Sequence, residues 1–490
     1  MMRPVAPPRQ DRLTLATLRQ KIANPGRGGT ALIGTASRVF ALGSQFVVVL
    51  VLAKLLPKAE FGNFMIAFAG YRLFATGVGT GLASVLLYHV SRASEDTHAL
   101  EIRLHRSALL VGALLALALC AAIWLGADAI AAEFQKPSLA MWLRTMTPFL
   151  FFSLLGMVSS GSYEGRSQVA TAIFLTEVAP NALRLGLLGV LPFLALSDQW
   201  VAHILAISVA VPWLVSVRHV FTRAVRGMQA FALWDYGYAA KLAVFNFASL
   251  QVQGVDMVVA GWMFPAEAVA DYAIASRIAA LYPFFLQLRV RMFGPIAGRL
   301  LASGDHAALQ KEAILAKQFA TVLVVFTIAG LLLAAPVFLH LFWNSSTLAT
   351  LLIVFAFAPI YRAHFAAGDR LLQMDGHANW NMGIQLAALA IVVGVPLLAG
   401  PWIGVIALPI AMTISGFALN PVIAYGARTL AGVTLLQPAD TLSILAAAAA
   451  VVVPLLIAQG MAAVLISGGM FALLGLALFQ ANHAAFRGAA

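Results

Sequence analysis

The sequence predicts an all-α protein threaded about fourteen times through a membrane, as two six-helix bundles related by an internal repeat plus two C-terminal helices. Three observations carry that prediction. The first is composition. Of 490 residues, 61% are hydrophobic and only 10% charged, and mean hydropathy is +0.90. A soluble domain is about 45–50% apolar and about 25% charged. So little charge cannot coat the several domains that a soluble chain of this length would form. Disorder is excluded for the opposite reason, because the chain is too apolar.

The second observation is segmentation. Apolar runs bounded by charge, Gly/Pro or polar clusters lie near 30–56, 61–90, 105–126, 139–161, 169–196, 200–222, 239–263, 267–295, 319–342, 347–367, 378–399, 402–425, 440–459 and 461–480. Each is long enough to span a bilayer. Only Gln459 and Gly460 separate the last two. The first run is about 27 residues, too long for the apolar part of a signal peptide, and reads as a retained span.

The third observation is where the 31 Lys/Arg fall. With the N-terminus cytoplasmic, twenty lie on the inside, only Lys58 and Lys136 lie outside, and nine lie within spans. That asymmetry is the positive-inside pattern. A missed or invented span would swap sides downstream and destroy it, so it predicts an even number of spans and cytoplasmic termini. The net charge of +12 then implies loops held at a lipid surface, and no nucleic-acid partner. The single cysteine, Cys120, sits in an apolar run and reads as a small buried residue.

The expected organisation is a basic cytoplasmic tail (1–29), a first bundle (30–222), a cytoplasmic linker (223–238), a second bundle (239–425) and two added helices with a short tail (426–490). The longest outside loop, 127–138, has about a dozen residues, and the inside segments 223–238 and 296–318 read as short amphipathic or linker pieces. Function must therefore lie within the membrane.

The repeat shows as a constant offset of 208. It aligns Pro57 with Pro265, Gly62 with Ala270, Asn63 with Asp271, Phe64 with Tyr272, Ile66 with Ile274, Gln45 with Gln253 and Arg38 with Asn246. Parallel repeats of this kind place a substrate site at their interface.

Charges inside a membrane are costly and mark function. Lys54, Arg289 and Arg291 lie near span ends and can snorkel, and Arg144 sits close to the outside. Arg38, Arg72 and Arg277 lie near the midplane of spans 1, 2 and 8. The spans offer them few carboxylates, mainly Glu177 and Asp256, so these arginines are expected to face a wet cavity and an anion. Span 7 carries Asn246, Ser249, Gln253 and Asp256 on one helical face, directed at protein or water. Asp256 can pair with an arginine or serve ion coupling. Glu177, Asn181 and Arg184 stand one and two turns apart on span 5, where Glu177 and Arg184 read as a local ion pair. Arg362 ends span 10 beside Tyr361 and His364, a position suited to an anion contact at the cytoplasmic mouth.

No GxxxxGK[ST], HExxH, CxxC or Gly-x-Ser-x-Gly occurs, so neither an ATP-driven pump nor these enzyme classes is indicated. No metal or cofactor is implied.

The stretch LAKLLPKAEFGNFMIAFAGYRLFATGVGTGLASVLLYHVSR resembles the first hairpin of bacterial polysaccharide repeat-unit flippases of the multidrug/oligosaccharidyl-lipid/polysaccharide (MOP) exporter superfamily. QGVDMVVAGWMFPAEAVADYAIASRIAALYPFF resembles that family's seventh and eighth spans, and PIAGRLLASGDHAALQKE the segment after them. Ala270 departs from the pattern, standing where Gly is commoner. The resemblance implies two bundles of six helices, often with two more, and alternating access around a cationic cavity. It implies that Arg38, Arg72 and Arg277 hold the diphosphate of an undecaprenyl-pyrophosphate-linked sugar, since guanidinium binds phosphate bidentately.

The expected function is flipping of a polyprenyl-pyrophosphate-linked oligosaccharide repeat unit across a bacterial inner membrane, for O-antigen or exopolysaccharide synthesis. Arg38, Arg72, Arg277, Gln45, Asn246 and Gln253 would bind, and Asp256, Glu177, Arg184 and Arg362 would couple or gate. The implied partners are that lipid substrate, membrane lipids, and the polysaccharide polymerase and chain-length machinery. A cation-coupled drug exporter is the alternative, disfavoured by the excess of midplane arginine. A membrane-embedded glycan polymerase or ligase is disfavoured because such enzymes usually carry a large outside loop.

Overall fold

The computed structural model describes residues 27–92, 98–166, 168–194, 197–222, 254–343, 345–368, 371–372 and 378–487. All fourteen apolar runs coincide with helix over most of their described length. The reason is the bilayer, which offers backbone groups no water and forces each span to satisfy them internally. Nine described helices are long and apolar enough to cross a membrane, or ten when one bent pair counts as a span. The protein is an all-α, multi-pass membrane protein.

The first six spans are α1 (Arg27–Leu55), α2 (Lys58–Arg92), α3 (His98–Glu133), the pair α4 (Leu139–Thr145) and α5 (Thr147–Gly165), the pair α6 (Val169–Ile173) and α7 (Ala179–Val190), and α8 (Trp200–Thr222). The next six are α9 (Val255–Met263), the pair α10 (Ala266–Ala279) and α11 (Phe284–Ser303), α12 (His306–Leu333) with α13 (Ala335–Leu341), α14 (Ser346–Ala363), α15 (Ala378–Ile403) and α16 (Ala407–Ala431). The last two are α17 (Pro438–Ile457) and α18 (Gly460–Arg487).

Several boundaries differ from the sequence expectation. The loop expected at 127–138 shrinks to five residues, because α3 continues to Glu133. The segment 296–318 is no linker: α11 and α12 run through it and turn only at Gly304 and Asp305. Gly304 adopts the left-handed conformation (φ +69°), and the Asp305 carboxylate caps α12 by accepting from the Ala308 amide at 2.9 Å. Three expected continuous spans are interrupted. α4 and α5 meet at 46° beside Pro148. A π turn, Phe174–Val178, separates α6 from α7. The eighth span breaks between Ala279 and Phe284, where Pro283 lacks the amide a continuous helix needs.

The packing repeats. In the first half α2 packs on α5, α5 on α3 and α8, α8 on α7, and α7 on α1. In the second half α10 packs on α14, α14 on α12 and α16, α16 on α15, and α15 on α9. The two sets match position by position. Close approach in the first half depends on glycine. A Cβ on Gly161 would sit 2.2 Å from the carbonyl oxygen of Ala83, so α2 and α5 meet backbone to backbone.

The added pair packs on the second half, α18 against α12 and α14 and α17 against α14. A buried polar cluster fixes it there. Lys317 on α12 donates to Asp440 on α17 at 2.6 Å and to the Leu435 carbonyl at 3.0 Å, with side-chain exposures of 3% for Lys317 and 13% for Asp440. His364 meets Ser443 Oγ at 2.7 Å. Breaking such a pair from one side costs about 3–5 kcal/mol. Lys317→Ala is therefore expected to lower the melting temperature of the purified protein in detergent by at least about 5 °C. An unchanged melting temperature would show that the pair does not hold α17.

Candidate functional site

A cavity of about 640 Å³ lies between the halves, walled mainly by α1, α2, α5, α7 and α8 and closed on the other side by α9 and α10. Of the residues singled out from sequence, Gln45, Arg72, Glu177, Arg184, Asp256 and Arg277 all line it. At 1.5 Å per residue, Arg72 lies about 21 Å and Arg277 about 17 Å from the N-terminal ends of α2 and α10. The arginines therefore come from opposite halves to similar depth.

Arg72 sits 5.9 Å from the Phe68 ring. Its charge interacts with Arg277, which repels it, and with Glu177, which attracts it. Arg277 occupies the last turn of α10, where the helix dipole favours a cation. Its charge interacts with Asp256 across the cavity wall. Asp256 accepts a hydrogen bond from Tyr272 Oη at 2.6 Å, and the Nε of Arg277 has no acceptor among the described residues.

One expectation needs correction. Glu177 and Arg184 form no ion pair among the described residues. Seven residues of helix separate them by about 10 Å, and nearer partners intervene. Arg184 donates through Nε and Nη2 to Ser208 Oγ on α8 (3.3 and 3.2 Å) and through Nη1 to Asn181 Oδ1 (3.4 Å). Glu177 is carried on the π turn, where its charge attracts Arg72. Arg362 is exposed and does not line this cavity.

Arg38 lies on α1 with its side chain outside the described residues, and Asn246, Ser249 and Gln253 lie outside them altogether. The sequence reading missed Trp213, which also lines the cavity. The available signal was its place near the middle of its span, away from the interfaces where membrane tryptophans concentrate.

The two repeat-related turns meet at one end of the cavity. Lys58 pairs with Asp271 at 2.9 Å, and Ser345 donates to the same carboxylate at 2.8 Å. Asn63 donates to Ser138 Oγ at 2.6 Å, and Lys136 donates to the Gly261 carbonyl at 2.6 Å. Desolvation lowers the Lys136 pKa, which Glu267 partly offsets. Among the described residues no three His, Cys, Asp or Glu side chains gather as a metal site.

Known proteins show the same architecture. An inward-facing multidrug resistance transporter of the MATE family in the MOP superfamily matches with a TM-score of 0.68 at 14% identity, over 80% of this chain and 95% of that one. The lipid II flippase MurJ in an inward closed conformation matches with a TM-score of 0.67 at 13% identity, over 93% of this chain and 99% of that one. A MOP superfamily transporter from Pyrococcus furiosus, described by the reverse polarity of its binding pocket, gives 0.54 at 14% identity, over 82% of this chain and 95% of that one. No curated protein sequence matches. The model of the polysaccharide biosynthesis protein family matches residues 30–291, more than half of the chain. By that match the chain belongs to the polysaccharide biosynthesis protein family, with a fold shared by these MOP superfamily structures.

Proposed function

We propose that the protein flips a polyprenyl-pyrophosphate-linked oligosaccharide repeat unit from the cytoplasmic to the outer leaflet of a bacterial inner membrane. The observation that carries this reading is the convergence of Arg72 and Arg277, one from each half, on one mid-depth cavity. A diphosphate can bridge two guanidiniums bidentately and so tie the halves together. On this reading the turns at Pro57 and Pro265 face outside and close the cavity there, the state in which a substrate loads from inside. The sugar head enters the cavity while the polyprenyl tail stays in lipid. Rocking of the halves then opens the outer end. Outward movement of an anion is favoured by an inside-negative potential, by about 2.3 kcal/mol per charge per 100 mV.

A drug exporter of the same superfamily is the second reading, favoured by the cavity carboxylates Glu177 and Asp256. Three lining arginines, Arg72, Arg184 and Arg277, outweigh them. Depleting the protein from its cell separates the readings. Flipping predicts loss of surface polysaccharide with the lipid-linked intermediate accumulating in the inner leaflet. Loss of the intermediate itself would point to an enzyme. Normal polymer with altered drug tolerance would point to the exporter.

A further inference from the structure

The first half carries a wall that anion binding does not use. Along α8, Val209, Trp213 and Ser216 recur at spacings of 4 and 3 and line the cavity. Ser160 of α5 and Thr176 of the π turn line it as well. Trp213 is held from behind: its ring packs 5.6 Å from Phe152, centroid to centroid, and Ser216 Oγ donates to its carbonyl at 2.6 Å.

Its indole N–H is the unusual group. Trp142 donates to Glu60 at 2.7 Å and Trp262 to Glu133 at 3.2 Å. The buried Nε1 of Trp213 has no acceptor among the described residues. That atom is closed to solvent, cavity included, so what Trp213 offers a ligand is its ring. Ser160 Oγ and Thr176 Oγ1 each spend their proton on a backbone carbonyl, Met157 and Ala172, at 2.8 Å. What they offer the cavity is oxygen lone pairs.

The wall thus presents an aromatic surface and two hydroxyl acceptors. A pyranose uses both: its C–H face lies on an aromatic ring and its hydroxyls donate. A phosphate has no use for acceptors. A cation would be drawn to the ring but repelled by the arginines that line the same cavity.

We infer that Trp213, with Ser160 and Thr176, forms a subsite for the sugar attached directly to the diphosphate. The inference rests on the proposed flipping function and assigns its sugar-selecting residues. The test measures binding to the purified full-length protein in nanodiscs with two probes, undecaprenyl pyrophosphate and undecaprenyl pyrophosphate bearing one hexose, glucose or galactose. The wild type is expected to bind the better hexosyl lipid at least tenfold more tightly than the bare one. Trp213→Leu erases that preference while leaving the bare lipid within twofold. Trp213→Phe keeps an aromatic ring and retains part of the preference, and it serves as the test should the leucine variant fail to fold. Arg72→Ala weakens both probes alike. A wild type without preference, or Trp213 variants that weaken both probes equally or neither, would overturn the subsite while leaving flipping intact. Failure of the wild type to bind either probe would overturn the flippase reading, and the subsite with it.

Discussion

Arg72→Ala and Arg277→Ala are each expected to cut delivery of lipid-linked repeat units to the outer leaflet by about 10- to 100-fold at unchanged protein level. A hydrogen bond to a charged partner contributes about 1.5–3 kcal/mol, and its loss gives that range. Neither side chain is built into the scaffold in the way Arg184 is. Arg184 is buried, and its fork is occupied by Ser208 and Asn181. Arg72 and Arg277 instead line the cavity, where Arg72 feels the charges of Glu177 and Arg277, and Arg277 that of Asp256. Two like charges at this depth are stabilised by an anion between them, so removing either leaves the anion half-held. Lysine at either position should restore activity only in part, because an ammonium keeps the charge and loses the bidentate fork. Surface polymer and the leaflet distribution of the lipid-linked intermediate measure the effect. Full polymer from a stably expressed Arg72→Ala or Arg277→Ala variant would sink the assigned role. Arg184→Ala is the contrast: it should lower the melting temperature, because Asn181 and Ser208 lose their shared partner.

The membrane fold and the places of Arg72 and Arg277 within spans were legible in the sequence because each rests on a one-dimensional signal. An apolar run of span length needs no tertiary information, and a charge within it is visible by position. The repeat was legible through Pro57 and Pro265, which mark equivalent turns. What was hidden depends on three dimensions. The Glu177–Arg184 spacing fits a helical pair, yet Ser208 on α8 competes for the arginine, and no pattern along span 5 reveals it. The break before Phe284 was signalled by Pro283, but proline is also tolerated inside α8, α14 and α16, so the residue alone does not decide. Trp213 had a positional signal, but its orphaned N–H emerges only once the neighbouring helices are placed.

Gly62→Ala is expected to raise outside access to the cavity at least fivefold and to lower flipping at least tenfold. Gly62 opens the second span just past the repeat-related turn, and Ala266 stands directly opposite in the other half. A Cβ on Gly62 would fall 2.0 Å from the Ala266 carbonyl oxygen, and backbone cannot yield as a flexible side chain does. The alanine methyl therefore wedges the two turns apart where they now touch. Parting them stretches the contacts across the same seam, the Lys58–Asp271 pair and the Lys136 bond to the Gly261 carbonyl. Lys58→Ala should act in the same direction but more weakly. The Lys58 side chain is 26% exposed, and partly exposed pairs contribute about 1 kcal/mol or less. The chain's single cysteine makes the measurement clean. With Cys120→Ser as background, Thr76→Cys places a thiol in the cavity wall, and a membrane-impermeant maleimide applied from outside reports the opening. Low labelling in the background and high labelling with Gly62→Ala is the expected pair of results. Equal labelling in both, with the variant still eluting as a monodisperse species, would show that this seam is not what seals the outer end. A closed seam that cannot re-form also explains the expected loss of flipping, because each cycle must return to the state that loads from inside.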